Sequence, residues 1–180
     1  MQSRDIAIVA VFAALTAGLG LLPPLPVSIV PVPITAQSLG VMLAGGLLGA
    51  RLGGLALLTF LILVALGMPL LAGGRGGLGV LLGPSGGFVL SWPVAAYIIG
   101  WLTSRTNWRT SFAKVLLSNV TGGIGIVYLL GIPWVSITTG LSLTQSALGS
   151  AVFIPGDLTK AVLCTFLILK IQRAYPLDRL

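Results

Sequence analysis

The feature that most constrains the fold is a series of long apolar runs separated by turn-forming residues. The run at 36–50 is short and rich in glycine, whereas a helix needs about 20 apolar residues to cross a bilayer, within a usual range of roughly 17–25. Five crossings are therefore the alternative to six. We expect an all-α membrane protein, a six-transmembrane-helix bundle that forms one integral-membrane domain over residues 1–180. The runs cover residues 6–22, 36–50, 52–71, part of 79–102, 112–130 and 155–171.

The composition is typical of a chain embedded in a membrane. Charged residues make up 7% of the chain, hydrophobic residues make up 56%, and the mean hydropathy is +1.09. A soluble domain carries about 25% charged residues. The first run leads into a proline-rich turn and not into a small-residue cleavage site, so we interpret it as a membrane span and not as a signal peptide.

The basic residues predict the orientation of the bundle. With six crossings and a cytoplasmic N-terminus, most of them fall in cytoplasmic segments, and this bias places both termini in the cytoplasm. We expect a multi-pass protein of the cell membrane, with anionic inner-leaflet lipid beside these cations. Nucleic-acid binding is disfavoured, because nucleic-acid-binding proteins cluster basic residues on one soluble face. The cytoplasmic set is Arg4, Arg51, Arg105, Arg109, Lys114, Lys170, Arg173 and Arg179.

The inventory of reactive residues argues against an enzyme and against a metal or cofactor site. Histidine is absent, Cys164 is the single cysteine, and three residues are acidic. The sequence thus lacks a histidine general base, a disulfide framework and a cysteine or histidine metal cluster. It also lacks the GxxxxGKS/T loop that binds nucleotide phosphates, so any use of ATP must come from partner subunits.

Three charges fall on the outer side of this topology: Arg75, Asp157 and Lys160. Asp157 and Lys160 are three positions apart at the start of the last run, so they share one helix face. Charges within membrane segments usually face a cavity or a partner group. A structural ion pair between two helices is the alternative, and Asp157 alone could serve as a helix cap.

Arg75 lies at the centre of a glycine-rich segment that includes Gly74 and Gly76. Glycine allows positive φ angles and a close approach of the backbone to a ligand. The alternative is an outer loop with a stray arginine. Two cations and one anion leave a surplus positive charge, which suits a small monoanion, and arginine binds a carboxylate through two parallel hydrogen bonds. The site therefore suits a molecule with a carboxylate at one end and N–H donors, which Asp157 would accept, at the other.

Other side chains are weaker candidates for the walls of this pocket. Packing, or anchoring at the membrane interface, is the alternative for each aromatic residue. The aromatic candidates are Trp134, Tyr128, Trp92 and Phe88, and the polar candidates at the entry to the second run are Thr35 and Gln37.

The first run carries alanines at helical spacing. Ala10 and Ala14 are four positions apart, and so are Ala13 and Ala17. Small residues at this spacing let helices approach closely. The pairs therefore indicate either packing within the bundle or a docking face for another membrane protein.

Blocks of sequence along nearly the whole chain carry a resemblance to a known family. They are VPITAQS at 32–38, LAGGLLGARLG at 43–53, GMP at 67–69, AGGRGG at 72–77, LGPSGGF at 82–88 and FIPGDLTK at 153–160. With these blocks the chain resembles the BioY family, the biotin-specific substrate-binding components of energy-coupling factor (ECF) vitamin transporters. Ser85 and Phe88 stand where the family commonly has threonine and tyrosine.

The resemblance implies six helices, an outer-facing pocket and high-affinity binding of biotin for uptake. The arginine, aspartate and lysine that contact biotin in the family correspond to Arg75, Asp157 and Lys160. Biotin has one carboxylate and a ureido ring with two N–H groups. We expect Asp157 to accept ureido N–H groups and Arg75 to serve the carboxylate. Lys160 would orient Asp157 or meet the ureido oxygen, and the glycine-rich segment would act as a lid.

The resemblance also implies partners. A transmembrane coupling subunit would dock on the alanine face of the first helix, and two ATPase subunits would supply the energy. A homo-oligomer that works without them is the alternative. The competing functions are a binding component for another small vitamin, a membrane-embedded enzyme, and a structural or assembly subunit. Biotin fits the independent charge argument, so biotin binding is the function that we expect.

Overall fold

The computed structural model describes residues 2–26, 30–105 and 111–174, and this part of the chain is built from helices. Four helical stretches within it are long and apolar enough to cross a membrane: Gln37–Ala65, Gly86–Thr103, Phe112–Thr139 and Leu143–Ala174. The predicted all-α architecture with membrane-spanning helices is therefore confirmed. The helices are α1 (Ser3–Leu19), α2 (Gln37–Ala65), α3 (Leu78–Leu82), α4 (Gly86–Leu90), α5 (Trp92–Thr103), α6 (Phe112–Val120), α7 (Val127–Thr139), α8 (Leu143–Ser150) and α9 (Ile154–Ala174), with a π-helical turn at Thr121–Ile126 and a 3₁₀ turn at Ala151–Phe153.

The first helix, α1, is short for a membrane span. Its 17 residues stand at the lower end of the range that crosses a bilayer. It ends before Gly20, because Pro23 and Pro24 follow closely and proline cannot continue a helix. Val9 and Ala13 are buried in the bundle, whereas the residues on the opposite side of the helix are exposed.

The second helix, α2, is interrupted at Gly49, where φ is 79° and ψ is −177°. Glycine alone adopts this region without strain. The chain reverses at this point, because a Cβ atom on Gly53 would lie 2.8 Å from the carbonyl oxygen of Ala44. Nine residues of uninterrupted helix would hold these positions about 13 Å apart. The runs predicted at 36–50 and 52–71 are therefore two halves of α2 that pack against each other.

Two predicted boundaries need correction. The second half of α2 ends at Ala65 and not at residue 71, because Gly67 takes a φ of 98° and Pro69 follows. The fifth run continues through α7 to Thr139 and does not end at 130, although Pro133 lies inside the helix. Membrane helices tolerate proline, because neighbouring groups satisfy the backbone carbonyl that the proline leaves without a donor.

The core lies between α2 and α5. Leu57 and Phe60 of α2 and Ile99 of α5 are fully buried, and the ring of Phe60 lies 5.8 Å from that of Trp92. The outward faces carry large apolar side chains such as Leu163, which is 51% exposed. This distribution is the one expected for helices that face lipid.

Basic side chains collect at one end of the bundle. Gly100, near the end of α5, packs directly on the backbone of Gly49, and the Nε2 atom of Gln172 donates to the carbonyl oxygen of Gly46 at 3.2 Å. The turn of α2 therefore meets the ends of α5 and α9. Arg109 and Arg179, which were predicted to share this end, lie outside the described residues. The described basic residues near this turn include Arg51, Arg105, Lys170 and Arg173.

Candidate functional site

A cavity lies at the opposite end of the bundle, between the starts of α2, α4 and α9, the π-helical turn and segment 32–35. It contains about 620 Å³ of non-atom space, including the solvent at its open side. Its wall is mainly apolar, with three charged side chains. The candidates from the sequence that line it are Arg75, Asp157, Lys160, Thr35, Gln37, Tyr128, Trp92 and Phe88.

Asp157 lies in the first turn of α9 with its carboxylate held on both oxygens. The Nζ atom of Lys160 is 2.8 Å from Oδ1, and the hydroxyl of Tyr128 donates to Oδ2 at 2.8 Å. The first turn is a favourable place for an anion, because the N-terminal end of a helix is positive. A carboxylate offers about four lone-pair directions, so about two remain for other donors.

Lys160 joins α9 to the segment that leads into α2. Besides Asp157, its Nζ atom donates to the backbone carbonyl of Thr35 at 2.8 Å and to the hydroxyl oxygen of Ser38 at 3.0 Å. Its side chain is 14% exposed. The ion pair itself lies within α9, and the bonds of Lys160 to Thr35 and Ser38 are what link this helix to the start of α2. Both charged side chains also form part of the cavity wall.

Tyr128 contributes a polar group as well as an aromatic wall. Its hydroxyl is bound to Asp157, and its ring meets that of Phe88 edge to face, with centroids 5.9 Å apart. Phe88 meets Phe153 in the same manner at 6.0 Å. These three rings form an aromatic side of the cavity next to the carboxylate.

Arg75 is fixed by its backbone and by one nitrogen of its side chain. Leu71 and Arg75 exchange two backbone hydrogen bonds of 2.9 and 3.1 Å, and the Nε atom of Arg75 donates to the carbonyl oxygen of Ala72 at 3.1 Å. Its two terminal nitrogens have no partner among the described residues. The end of the guanidinium group is therefore available to a ligand in the cavity.

The glycines around Arg75 shape the loop and do not line the cavity. Gly74 has a φ of 68°, one of the positive φ angles that the sequence predicted, and it is exposed. Gly76 packs so closely on the carbonyl of Met68 that no side chain would fit. Neither glycine is among the residues that line the cavity, and both shape the path of the backbone around Arg75.

Gln37 is a brace between three segments. Its Nε2 atom donates to the carbonyl oxygens of Thr16 at 3.1 Å and Leu70 at 2.9 Å, and its Oε1 atom accepts from the backbone N–H of Ala72 at 2.9 Å. The residue is 1% exposed. Because both amide hydrogens are occupied, Gln37 holds α1 and the Arg75 loop against α2 and has no donor left for a ligand.

Trp134 does not reach the cavity. Its indole nitrogen donates to the carbonyl oxygen of Gly83 at 2.9 Å, and its ring covers Gly87, where a Cβ atom would clash with it. The side chain is absent from the cavity lining. Trp134 therefore links α7 to the turn before α4. This packing role is the alternative that the sequence left open for each aromatic candidate.

The cavity includes residues that the sequence reasoning did not select as site residues. Ser38, Ser85 and Phe153 line it, although all three lie inside the blocks that carried the family resemblance. Ser38 follows Gln37 at the start of α2, so its position beside Thr35 and Gln37 was the available signal. The contact with Lys160 spans 122 positions and could not be read from local spacing.

The two alanine pairs of α1 lie on different faces. Ala10 and Ala14 are exposed, whereas Ala13 is buried and Ala17 is half-buried. The second pair packs within the bundle. The first pair forms a smooth exposed strip.

Comparisons with known proteins agree on one family. The model of the BioY family matches residues 1–177. The biotin transporter BioY of Rhizobium etli is 43% identical over 182 residues, which cover 98% of this chain and 97% of that protein. The probable biotin transporter BioY of Bacillus subtilis is 44% identical over 174 residues, which cover 97% and 93%.

A solved structure is similar over almost the full length. It is the crystal structure of the S-component for biotin from an ECF-type ABC transporter. The TM-score is 0.91 at 34% sequence identity, and the match covers 96% of this chain and 95% of that one.

Proposed function

Because the chain belongs to the BioY family, we propose that it is the membrane component that binds biotin for uptake into the cell. The relatives are biotin transporters, and the similar structure is the biotin-binding S-component of an ECF-type transporter. The chain functions in transport and is not an enzyme. No second function is favoured by any contact in the cavity.

One observation carries the proposal: a single cavity holds an anchored carboxylate and an arginine whose terminal nitrogens have no partner within the described part of the chain. Asp157 keeps about two acceptor directions after its bonds with Lys160 and Tyr128. Arg75 keeps the fork of donors that matches a carboxylate. Biotin presents ureido N–H groups at one end and a carboxylate at the other, so its polar groups complement both residues.

The apolar wall supports the same ligand. Phe88, Phe153 and Trp92 line the same cavity as the polar groups, and they suit the thioether ring and the aliphatic chain of biotin. We assign the ureido ring to Asp157 and the carboxylate to Arg75. The glycine-rich loop around Arg75 would cover the bound molecule.

The test is biotin binding to the purified chain in detergent, beside Asp157→Asn. Wild type should bind tightly. Asp157→Asn keeps the shape of the side chain but removes a charged acceptor, and hydrogen bonds to charged groups contribute about 1.5–3 kcal/mol. We expect an affinity at least roughly tenfold lower.

The matched control is Thr159→Val. Thr159 lies on the same turn of α9, is exposed, and bonds only to the carbonyl of Pro155. Its affinity for biotin should equal that of wild type. A folded wild-type chain that does not bind biotin would overturn the proposal, and wild-type affinity in Asp157→Asn would remove Asp157 from the site.

We further propose six crossings with both termini in the cytoplasm. The reversal at Gly49 divides α2 into two antiparallel halves, and α1, Gly86–Thr103, Phe112–Thr139 and α9 supply the other four. The end that carries Arg51, Arg105 and Arg173 would face the cytoplasm by the positive-inside rule. The cavity would then open towards the outer face.

Partners are also proposed from the ECF-type relative. The chain would work with a transmembrane coupling subunit and two ATPase subunits, because its sequence carries no phosphate-binding loop of its own. The exposed Ala10 and Ala14 support α1 as the docking helix. A homo-oligomer that works without these subunits is the alternative.

A further inference from the structure

Lys160 has no donor left for a ligand. An ammonium group has three N–H donors, and the Nζ atom of Lys160 has three acceptors: the Thr35 carbonyl at 2.8 Å, the Ser38 hydroxyl at 3.0 Å and the Asp157 carboxylate at 2.8 Å. A ligand oxygen could bind Lys160 only by displacing one of them. Lys160 is therefore better placed to orient its neighbours than to contact a ligand itself.

Ser38 has a hydroxyl hydrogen with no acceptor among the residues that the structure describes. Its oxygen accepts from Lys160, so its own hydrogen must be directed elsewhere. Helical serines and threonines often bond to a carbonyl three or four positions back, as Thr165 does to Ala161. For Ser38 those carbonyls belong to Thr35 and Ile34, and among the described residues its hydroxyl donates to neither of them.

The free donor of Ser38 lies beside the free acceptor of Asp157. Both side chains line the cavity. Their oxygens contact the same nitrogen at 3.0 and 2.8 Å, so they are less than about 6 Å apart by geometry alone. A donor and an acceptor at this separation match the edge of a cyclic urea, where an N–H group adjoins the carbonyl oxygen.

We propose that Ser38 determines specificity for the ureido ring by donating its hydroxyl hydrogen to the ring oxygen while Asp157 accepts the adjacent N–H. Lys160 is the positioning residue that holds both groups. A hydroxyl that accepts from an ammonium group is also a stronger donor, because linked hydrogen bonds polarise one another. This inference rests on the proposed binding of biotin.

The test compares biotin with 2-thiobiotin, in which sulfur replaces the ureido oxygen and accepts hydrogen bonds poorly. Affinities of both ligands are measured for wild type, Ser38→Ala and Ser38→Thr in detergent. Wild type should prefer biotin. Ser38→Ala should lose roughly three- to tenfold in affinity for biotin and little for 2-thiobiotin, and Ser38→Thr, which keeps the hydroxyl, should retain the preference.

The control is Ser85→Ala, which removes another buried hydroxyl from the cavity wall. It should change the affinities for both ligands by the same factor. If Ser38→Ala lowers both affinities equally, Ser38 only supports Lys160 and the inference is wrong. If Ser38→Ala keeps the full preference for biotin over 2-thiobiotin, Lys160 or another donor bonds to the ureido oxygen, and the inference is wrong. Failure of wild type to bind biotin would instead overturn the proposed function itself.

Discussion

At the scale of single residues, exposure separates two alanine pairs that look equivalent in the sequence. Ala10 and Ala14 lie on the exposed face of α1, whereas Ala13 is 4% exposed and packs inside the bundle. A helix from another protein can approach closely only over the first pair.

We predict that Ala14→Trp abolishes assembly with the coupling subunit without harming biotin binding. A tryptophan on this strip would hold a partner helix away by the width of its ring, and it would not touch the cavity. The measurement is co-purification of the coupling subunit with the tagged chain, together with biotin binding by the isolated chain.

Leu163→Trp is the control for that experiment. Leu163 is 51% exposed on α9, so its replacement adds the same ring to a face that contacts lipid. It should leave both co-purification and biotin binding intact. Normal co-purification of Ala14→Trp would exclude this strip as the docking face.

Individual residues also show which parts of the site could be predicted from the sequence. The pairing of Asp157 with Lys160 followed from a three-residue spacing on one helix, and the structure places both at the cavity. The role of Gln37 could not be predicted, because two of its partners are the backbone carbonyls of Thr16 and Leu70, and any residue type could supply a carbonyl. The position of Trp134 could not be predicted for a similar reason, since the hydrogen-bond partner of its indole nitrogen is the backbone carbonyl of Gly83.

At the scale of elements, the reversal of α2 depends on one glycine. Gly49 has a φ of 79°, and a Cβ atom there would meet no other atom within 4 Å. Any cost of a substitution is therefore conformational and not steric. Such backbone strain costs about 1–3 kcal/mol for a residue with a side chain.

We predict that Gly49→Ala destabilises the folded protein by about 1–3 kcal/mol. Gly79→Ala is the matched control, because a Cβ atom there also meets nothing within 4 Å but the backbone of α3 is helical. It should be neutral or slightly stabilising, since alanine favours a helix more than glycine does. Unfolding in detergent by heat or denaturant measures both variants, and equal stabilities would contradict the role of Gly49.

The apolar runs were located along the chain, but the ends of the helices differ from the predicted ends. The runs at 36–50 and 52–71 were predicted as separate, and the structure breaks the helical geometry of α2 near their boundary, at Gly49. The extension of α7 to Thr139 was missed because Pro133 is a helix breaker by its local propensity. Packing against neighbours decides such a case, and a single sequence does not contain that information.

At the scale of the whole molecule, the orientation of the chain in the membrane can be mapped by labelling introduced cysteines. Its one cysteine, Cys164, is 0% exposed, so thiol reagents should report only cysteines that are introduced. Leu21 and Leu66 are 88% and 77% exposed, and Ser104 is also exposed at the end with the basic residues.

We predict that Leu21→Cys and Leu66→Cys react with a membrane-impermeant maleimide in intact cells, whereas Ser104→Cys reacts only after permeabilisation. The first two positions flank α2, so they share a side of the membrane only if α2 crosses twice. Labelling of Leu21 and Leu66 from opposite sides would mean that α2 crosses once. Labelling of Ser104 in intact cells would reverse the proposed orientation.

The π-helical turn at Thr121–Ile126 sets a constraint on chain length as well as on composition. Gly123 and Tyr128 both line the cavity although they are five positions apart, and an α-helix, which turns about 100° per residue, would point them in well-separated directions. The π-turn accommodates one residue more than an α-helical turn, so losing one residue would restore the α-helix and keep α7 nearly in phase, whereas gaining one would rotate α7 by about 100° and carry Tyr128 away from Asp157. The turn should therefore tolerate the loss of one residue better than the gain of one, and its composition is constrained separately, because a Cβ atom on Gly122 or Gly123 would collide with Ile99 or Met42.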